Sequence, residues 1–185
     1  LDSTLKNYTA TVVVSGGANR SVEFLDFDPR RSKTWTAAED GQWANSRNWN
    51  PPFLPRFIDT VNIAPTALAC IPVMPPELSF PSLAIMENGS LRISGTDTLR
   101  GDILINGALS VDSASAPEIV VDRHWGGTGS FYPGGSAVKF TRGLTHTVNE
   151  MVFHDLHIYT NNTGQTSTLH ATGNLSVTSS LQITG

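Results

Sequence analysis

The chain has one cysteine, three lysines, six glutamates and no apolar run of the length a membrane-crossing helix needs. The lone Cys70 excludes an intrachain disulfide, and its neighbours Leu68, Ala69 and Ile71 mark it as a small buried hydrophobe, not a reactive thiol. Scarce Lys and Glu remove the long charged side chains that cover the wet faces of helices. The net charge of −4 is spread along 185 residues, so no basic stripe meets a phosphate backbone, and nucleic acid is not expected as a partner. No signal-peptide pattern stands at the start, and direct membrane insertion is not expected. Leu1 is not a natural start and Gly185 follows a strand directly, so the segment is expected to come from a longer protein.

What remains is suited to strands. Apolar residues make up 39% and charged residues 15%, with 16 Gly, 11 Pro and about a fifth Ser plus Thr. Residues 8–14 and 21–27 alternate about a Gly-rich loop, which reads as a strand–loop–strand unit closing a preceding β-module over 1–33. Residues 34–82 form a Trp-rich cap and a connection in which Pro65, Pro72, Pro75, Pro76 and Pro81 oppose helix and central strand alike. Residues 83–185 contain a repeated phrase. Asn88-Gly89-Ser90-Leu91-Arg92-Ile93 returns as Asn106-Gly107-Ala108-Leu109-Ser110-Val111, with looser echoes at 173–177 and 179–183.

Short strands at such spacing suit a solenoid or a sandwich, and the self-similarity favours the solenoid, since sandwich strands need not resemble one another. The expected fold is all-β, a right-handed parallel β-helix with coils of about 18–22 residues stacked about 4.8 Å apart and continuing beyond the segment. Leu91 should stack on Leu109 and Ile93 on Val111 in a parallel ladder. Residues 149–156 support one helical turn at most.

The densest signal lies in 35–63. Trp35, Trp43 and Trp49 fall within fifteen residues of each other, among Asn, Ser, Gly and Pro, and are followed by Pro55 and Asp59-Thr60-Val61-Asn62-Ile63. Indoles supply large rigid apolar surface with one N–H to satisfy, so this segment is expected to close one end of the β-core, with Asn48 and Asp59 bonding the loop backbone.

The line Trp35, Trp43, Asn48-Trp49, Pro55, Asp59, Val61, Ile63 resembles the opening of a module of large bacterial surface proteins carried by the type IX secretion pathway. The Gly-x-Leu-x-apolar strands at 89–93 and 107–111 resemble its continuation. So do Trp125 with the Gly/Thr-rich bend at 126–131, Val138-Lys139-Phe140, and Phe153-His154-Asp155-Leu156-His157-Ile158. The resemblance covers about residues 34–185 and implies a non-catalytic, presentational segment of an adhesin-like or gliding-associated protein. It implies the surface of a Gram-negative bacterium or its surroundings as the location. The type IX translocon and its shuttle proteins would be partners during export, and surface glycans further partners. Bacteria of this kind glycosylate Asp-Ser/Thr-apolar sequences, which occur at Ser3, Thr60, Thr98 and Ser113. Asp-Ser and Asp-Thr are also ordinary turn dipeptides, and Asp59-Thr60 is the weakest candidate because Asp59 has a structural part in the aromatic line.

No catalytic, cofactor-binding or metal-ligating residue is assigned. His154 and His157 point to opposite faces of a regular strand, and His124, His146 and His170 read as surface polar positions. Asp26 and Asp28 lack an oxygen-rich calcium loop. Asp97, Asp102, Asp112 and Asp122 recur at coil-like spacing, as turn-forming residues do. The alternative reading is a carbohydrate-binding or carbohydrate-cleaving β-helix, in which exposed Tyr132 and Trp125 and that Asp row line a groove.

Overall fold

The computed structural model describes residues 32–65, 71–74, 79–95, 98–141, 145–159 and 168–184. The expectations for Ser3, Asp26, Asp28, Cys70 and Asp97 lie outside these residues, as does the strand–loop–strand unit.

The described chain is a parallel β-solenoid of about five turns. Its odd-numbered strands, with β2, build a nine-stranded sheet: β1 (Ser32–Trp35), β2 (Trp49–Asn50), β3 (Thr60–Ile63), β5 (Ser79–Ile85), β7 (Thr98–Ile105), β9 (Glu118–Gly126), β11 (Ala137–Phe140), β13 (Met151–Tyr159) and β15 (Leu175–Thr184). Its order is β15-β13-β11-β9-β7-β5-β3-β1-β2, and every pairing is parallel except that of β1 with β2. A second parallel sheet holds β4 (Val73–Met74), β6 (Ser90–Ile93), β8 (Ala108–Val111) and β10 (Ser130–Tyr132). A third pairs β12 (Thr145–Val148) with β14 (Thr168–Ala171). The 3-10 turn Ser46–Asn48 is the only helical element among the described residues.

Alternation decides which side chains enter the core. In the first rungs Lys33, Val61, Leu83 and Ile103 fall in register, as do Trp35, Ile63, Ile85 and Ile105. Further along, Leu99, Ile119, Val138, Leu156 and Leu181 form one row, and Val121, Phe140, Ile158 and Ile183 another, with Leu181 and Ile183 exposed on β15 at the edge of the sheet. On the second sheet Leu91 pairs with Leu109 and Ile93 with Val111, in parallel, with all four buried. An aromatic knot fills the later core: Trp125 lies edge-on to Phe131 at 5.1 Å and meets Phe153 at 5.8 Å.

The repeated Asn-Gly phrase has a steric cause. A Cβ on Gly107 would stand 2.1 Å from the carbonyl oxygen of Gly89, and one on Gly89 would stand 2.5 Å from that of Ile63. The glycine therefore marks where one coil's turn rests on the backbone beneath, and the next amide bonds there: Ala108 N–H donates to the Gly89 carbonyl at 2.9 Å. Gly101 serves a bend inside β7. Its φ of +149° suits glycine, a Cβ would meet the Phe80 carbonyl at 2.0 Å, and the β7–β9 register shifts just after it.

Two expectations need correction. Pro81 lies inside the central strand β5, and the ladder to β7 shifts between Ser79 and Ser82, so the missing N–H falls at an irregularity. Residues 151–159 form one long strand, in keeping with the limit of one helical turn over 149–156, because Met151, Phe153, Leu156 and Ile158 are all drawn into the core. The echoes at 173–177 and 179–183 are one strand, β15, continuous across the point where β13 shifts register between Phe153 and Asp155.

Leu109→Ala should lower the unfolding free energy by about 2–5 kcal/mol. Arg92→Ala, on the solvent face of β6 in a loose 3.6 Å ion pair with Asp112, should stay within about 0.5 kcal/mol. Chemical denaturation of the two variants side by side checks the facing of that sheet.

Candidate functional site

Two places gather polar chemistry. The first is the Trp-rich loop between β1 and β3. Trp35, Trp43 and Trp49 are buried and pack as a trio, with Trp43 and Trp49 edge-on at 4.7 Å and Trp35 and Trp49 at 5.2 Å. Trp49 Nε1 donates to the Trp43 carbonyl at 3.0 Å, whereas Trp35 Nε1 meets no acceptor among the described residues. Trp43 also stacks on Phe80 of β5, which ties the loop to the coils.

Asn48 is the hub of this loop. Its buried side-chain oxygen accepts from the backbone N–H of Glu39 at 2.9 Å and Asp40 at 3.1 Å, and its amide donates to Asp40 Oδ1 and the Gln42 carbonyl. Its own carbonyl accepts from Thr36 N–H and Thr36 Oγ1. Asp59, fully buried, accepts from Arg56 N–H at 2.8 Å, and Pro55 is half-buried just before. Lys33, which the sequence did not single out, is buried in an inward row with its ammonium 5.3 Å from the centre of the Phe53 ring.

Asp40 is held below the ordinary carboxylate range, first by the Gln42 backbone N–H and then by the amides of Asn45 and Asn48. A lowered folded-state pKa stabilises above the unfolded value and is lost as pH falls through the folded one. The loop should therefore loosen only below the usual Asp range.

The second place is a depression of about 630 Å³ on the outside of the nine-stranded sheet. Asp102 and Leu104 of β7 and His124 and Gly126 of β9 line one side, and Thr145 and Thr147 of β12 face them with Asn149 beyond. It lies where the stacking of strands is interrupted. β12 runs beside β9, but among the described residues no ladder joins them; β12 pairs with β14 alone. The Asn149 amide spans the gap by donating to the Gly127 carbonyl. Asp102 is fixed by Arg123 at 2.6 Å and by the backbone N–H of His124 at 3.3 Å. Leu104 is an apolar patch, 42% exposed, beside the bare backbone of Gly126.

The groove imagined from sequence is not formed as expected. Trp125 is 2% exposed, because its indole belongs to the inward row. Tyr132 is exposed on β10, in the second sheet. Asp112 follows β8, beside Arg92, whereas Asp102 stands on the large sheet beside Arg123, so these two do not share a row. His146 is buried against Phe140 at 4.5 Å, not at the surface, since it takes an inward position of β12. His124 is exposed, as expected. A register shift does fall between Phe153 and Asp155, but no group of three or more His, Cys, Asp or Glu suited to a metal occurs among the described residues. Of the modification candidates, Ser113 is exposed in the turn after β8, Thr60 is half-buried at the start of β3, and Thr98 opens β7.

The depression escaped the sequence because its residues, from Ser82 of β5 to Asn149, come from four coils and no local motif joins them. Their outward positions at coil spacing are the signal that could have grouped them. Comparison with protein-family models, with curated proteins and with solved structures gives no match to this chain.

Trp49→Ala should cost about 3–5 kcal/mol in denaturant unfolding. In an acid titration, Trp fluorescence should hold steady through the ordinary Asp range and change only below it, and Asp40→Asn should remove that step.

Proposed function

We propose that this chain is a non-catalytic structural and presentational segment of a large exported bacterial surface protein, adhesin-like, which holds a binding region away from the cell. The observation that supports this reading is the unbroken strand order of the large sheet, in which two overlapping sets of inward rows, one from β1 to β9 and one from β7 to β15, carry the stack from coil to coil. Each coil adds its strand in register to the one before, which produces a rod about 4.8 Å longer per coil. Rods of this kind separate two points at small cost in sequence.

Type IX export, with its translocon and shuttle proteins as transient partners, follows from the resemblance of the Trp-rich line and of the later strands. Coil-by-coil folding suits passage through a channel, since each emerging coil packs on its predecessor. Glycans at Ser3, Thr60, Thr98 or Ser113 are proposed on the same ground; the exposure of Ser113 supports that site most directly. Adhesion or surface gliding is the setting the resemblance supplies. A second reading, carbohydrate binding, is favoured by the depression between β9 and β12.

Surface labelling of intact cells that make the full-length protein should reach this segment. Mass spectrometry of the exported form should find added mass on a peptide containing Ser113. A full-length protein confined to the cytoplasm and unmodified would remove the basis of the reading.

A further inference from the structure

We infer that the depression between β9 and β12 binds a neutral, hydroxyl-rich ligand, a saccharide unit. This inference rests on the second reading above, carbohydrate binding, and gives it a site, while it holds or fails independently of the presentational role. The volume, about 630 Å³, lies within the range of small-molecule sites and has room for more than one sugar ring. The lining has the mixed character a pyranose requires. A sugar offers a C–H face and a rim of hydroxyls that both donate and accept. Leu104, 42% exposed, supplies an apolar contact for the face. Gly126 leaves space above the sheet, since a Cβ there would find a single neighbour, Leu104 Cδ1 at 3.8 Å.

Around that floor stand acceptors and donors on separate strands. Asp102 is anchored by Arg123 at 2.6 Å, and its two oxygens keep lone pairs beyond those spent on Arg123 and the His124 N–H. A pair of vicinal hydroxyls can donate to such a carboxylate. Thr145 and Thr147 present exposed hydroxyls from the opposite strand, and the His124 ring is exposed on the near side.

Other ligand classes fit less well. An anion would meet the Asp102 carboxylate, whose neighbouring cation Arg123 is already engaged with it. A divalent cation would find one carboxylate, and no group of three metal-ligating side chains lies among the described residues. A wholly apolar ligand would strand the Thr and Asp groups without partners.

The test is titration calorimetry, paired with saturation-transfer NMR, against methyl glycosides of glucose, galactose, mannose and N-acetylglucosamine and their linear trisaccharides. At least one should bind the chain with a dissociation constant of about 0.1–5 mM. Gly126→Leu places a side chain in open space over the floor, at ordinary contact with Leu104, so it fills the site without disturbing the fold. It should weaken binding about tenfold or more. Thr147→Val keeps the shape and strand preference and removes one hydroxyl; a loss of about three- to tenfold is expected. Arg92→Ala, on β6 of the second sheet, should leave affinity unchanged. Circular dichroism and thermal melting of each variant show that the fold is intact. Failure of every saccharide to bind at about 20 mM overturns the inference. So does binding that survives Gly126→Leu in a folded protein, or a preference for an extended Thr/Val-rich peptide over all the sugars.

Discussion

No coil of this solenoid can bury its own apolar side chains; each depends on the coil above and below it. A strand such as β6 presents Leu91 and Ile93 to the interior, and those side chains are dry only because β8 sets Leu109 and Val111 at the same height. Register is therefore imposed along every stretch between the shifts in the β5–β7, β7–β9 and β13–β15 ladders. A shift of one residue would put Arg92 inside and Leu91 in water. The Asn-Gly turns serve the same demand, since backbones that must stack at strand spacing leave no room for a Cβ where turn meets turn. The rows and the glycines are two expressions of one spacing.

The Trp-rich loop shows how a polar segment can join such a stack. Between β1 and β3 the chain makes a long excursion, with β2 returning antiparallel along β1. Asn48 satisfies four loop backbone groups through its side chain and carbonyl, and the three indoles then close over β1 and reach Phe80. Apolar mass comes from the tryptophans and polar accounting from one asparagine. Lys33 departs from the plan, a cation in an apolar row set against the face of Phe53.

Much of this was legible in the sequence, and the boundary of legibility has a physical cause. Leu91 with Leu109, and Ile93 with Val111, could be paired because a repeated phrase carries its facing with it. The closeness of the tryptophans could be read as a cluster because large apolar rings in a polar loop have few other resting places. Local pattern failed where one strand serves two sides of the solenoid. In β15 the alternation of 175–177 and 181–183 is the same whether the chain turns or continues between them, and only pairing with β13 distinguishes the two. Pro81 misled because a proline forbids a ladder bond but not a strand whose ladder already shifts there. His146 and Trp125 were read by residue type, yet both sit at inward positions of their strands. The depression was out of reach, since Asp102, His124 and Thr147 meet only through the stacking of coils.

The gap between β9 and β12 bears on mechanics. Where β9 meets β11 the backbone is bonded from Glu118 to Val121, while around the corner, among the described residues, β12 lies beside β9 without a ladder. A rod held on one flank and loose on the other does not bend equally in all directions. Flexure that opens the loose flank strains mainly side-chain contacts such as that of Asn149 with Gly127, whereas flexure the opposite way works against intact inter-strand hydrogen bonds. A step of the stack that is laddered on one flank alone should therefore yield more readily in one plane of bending than in the other.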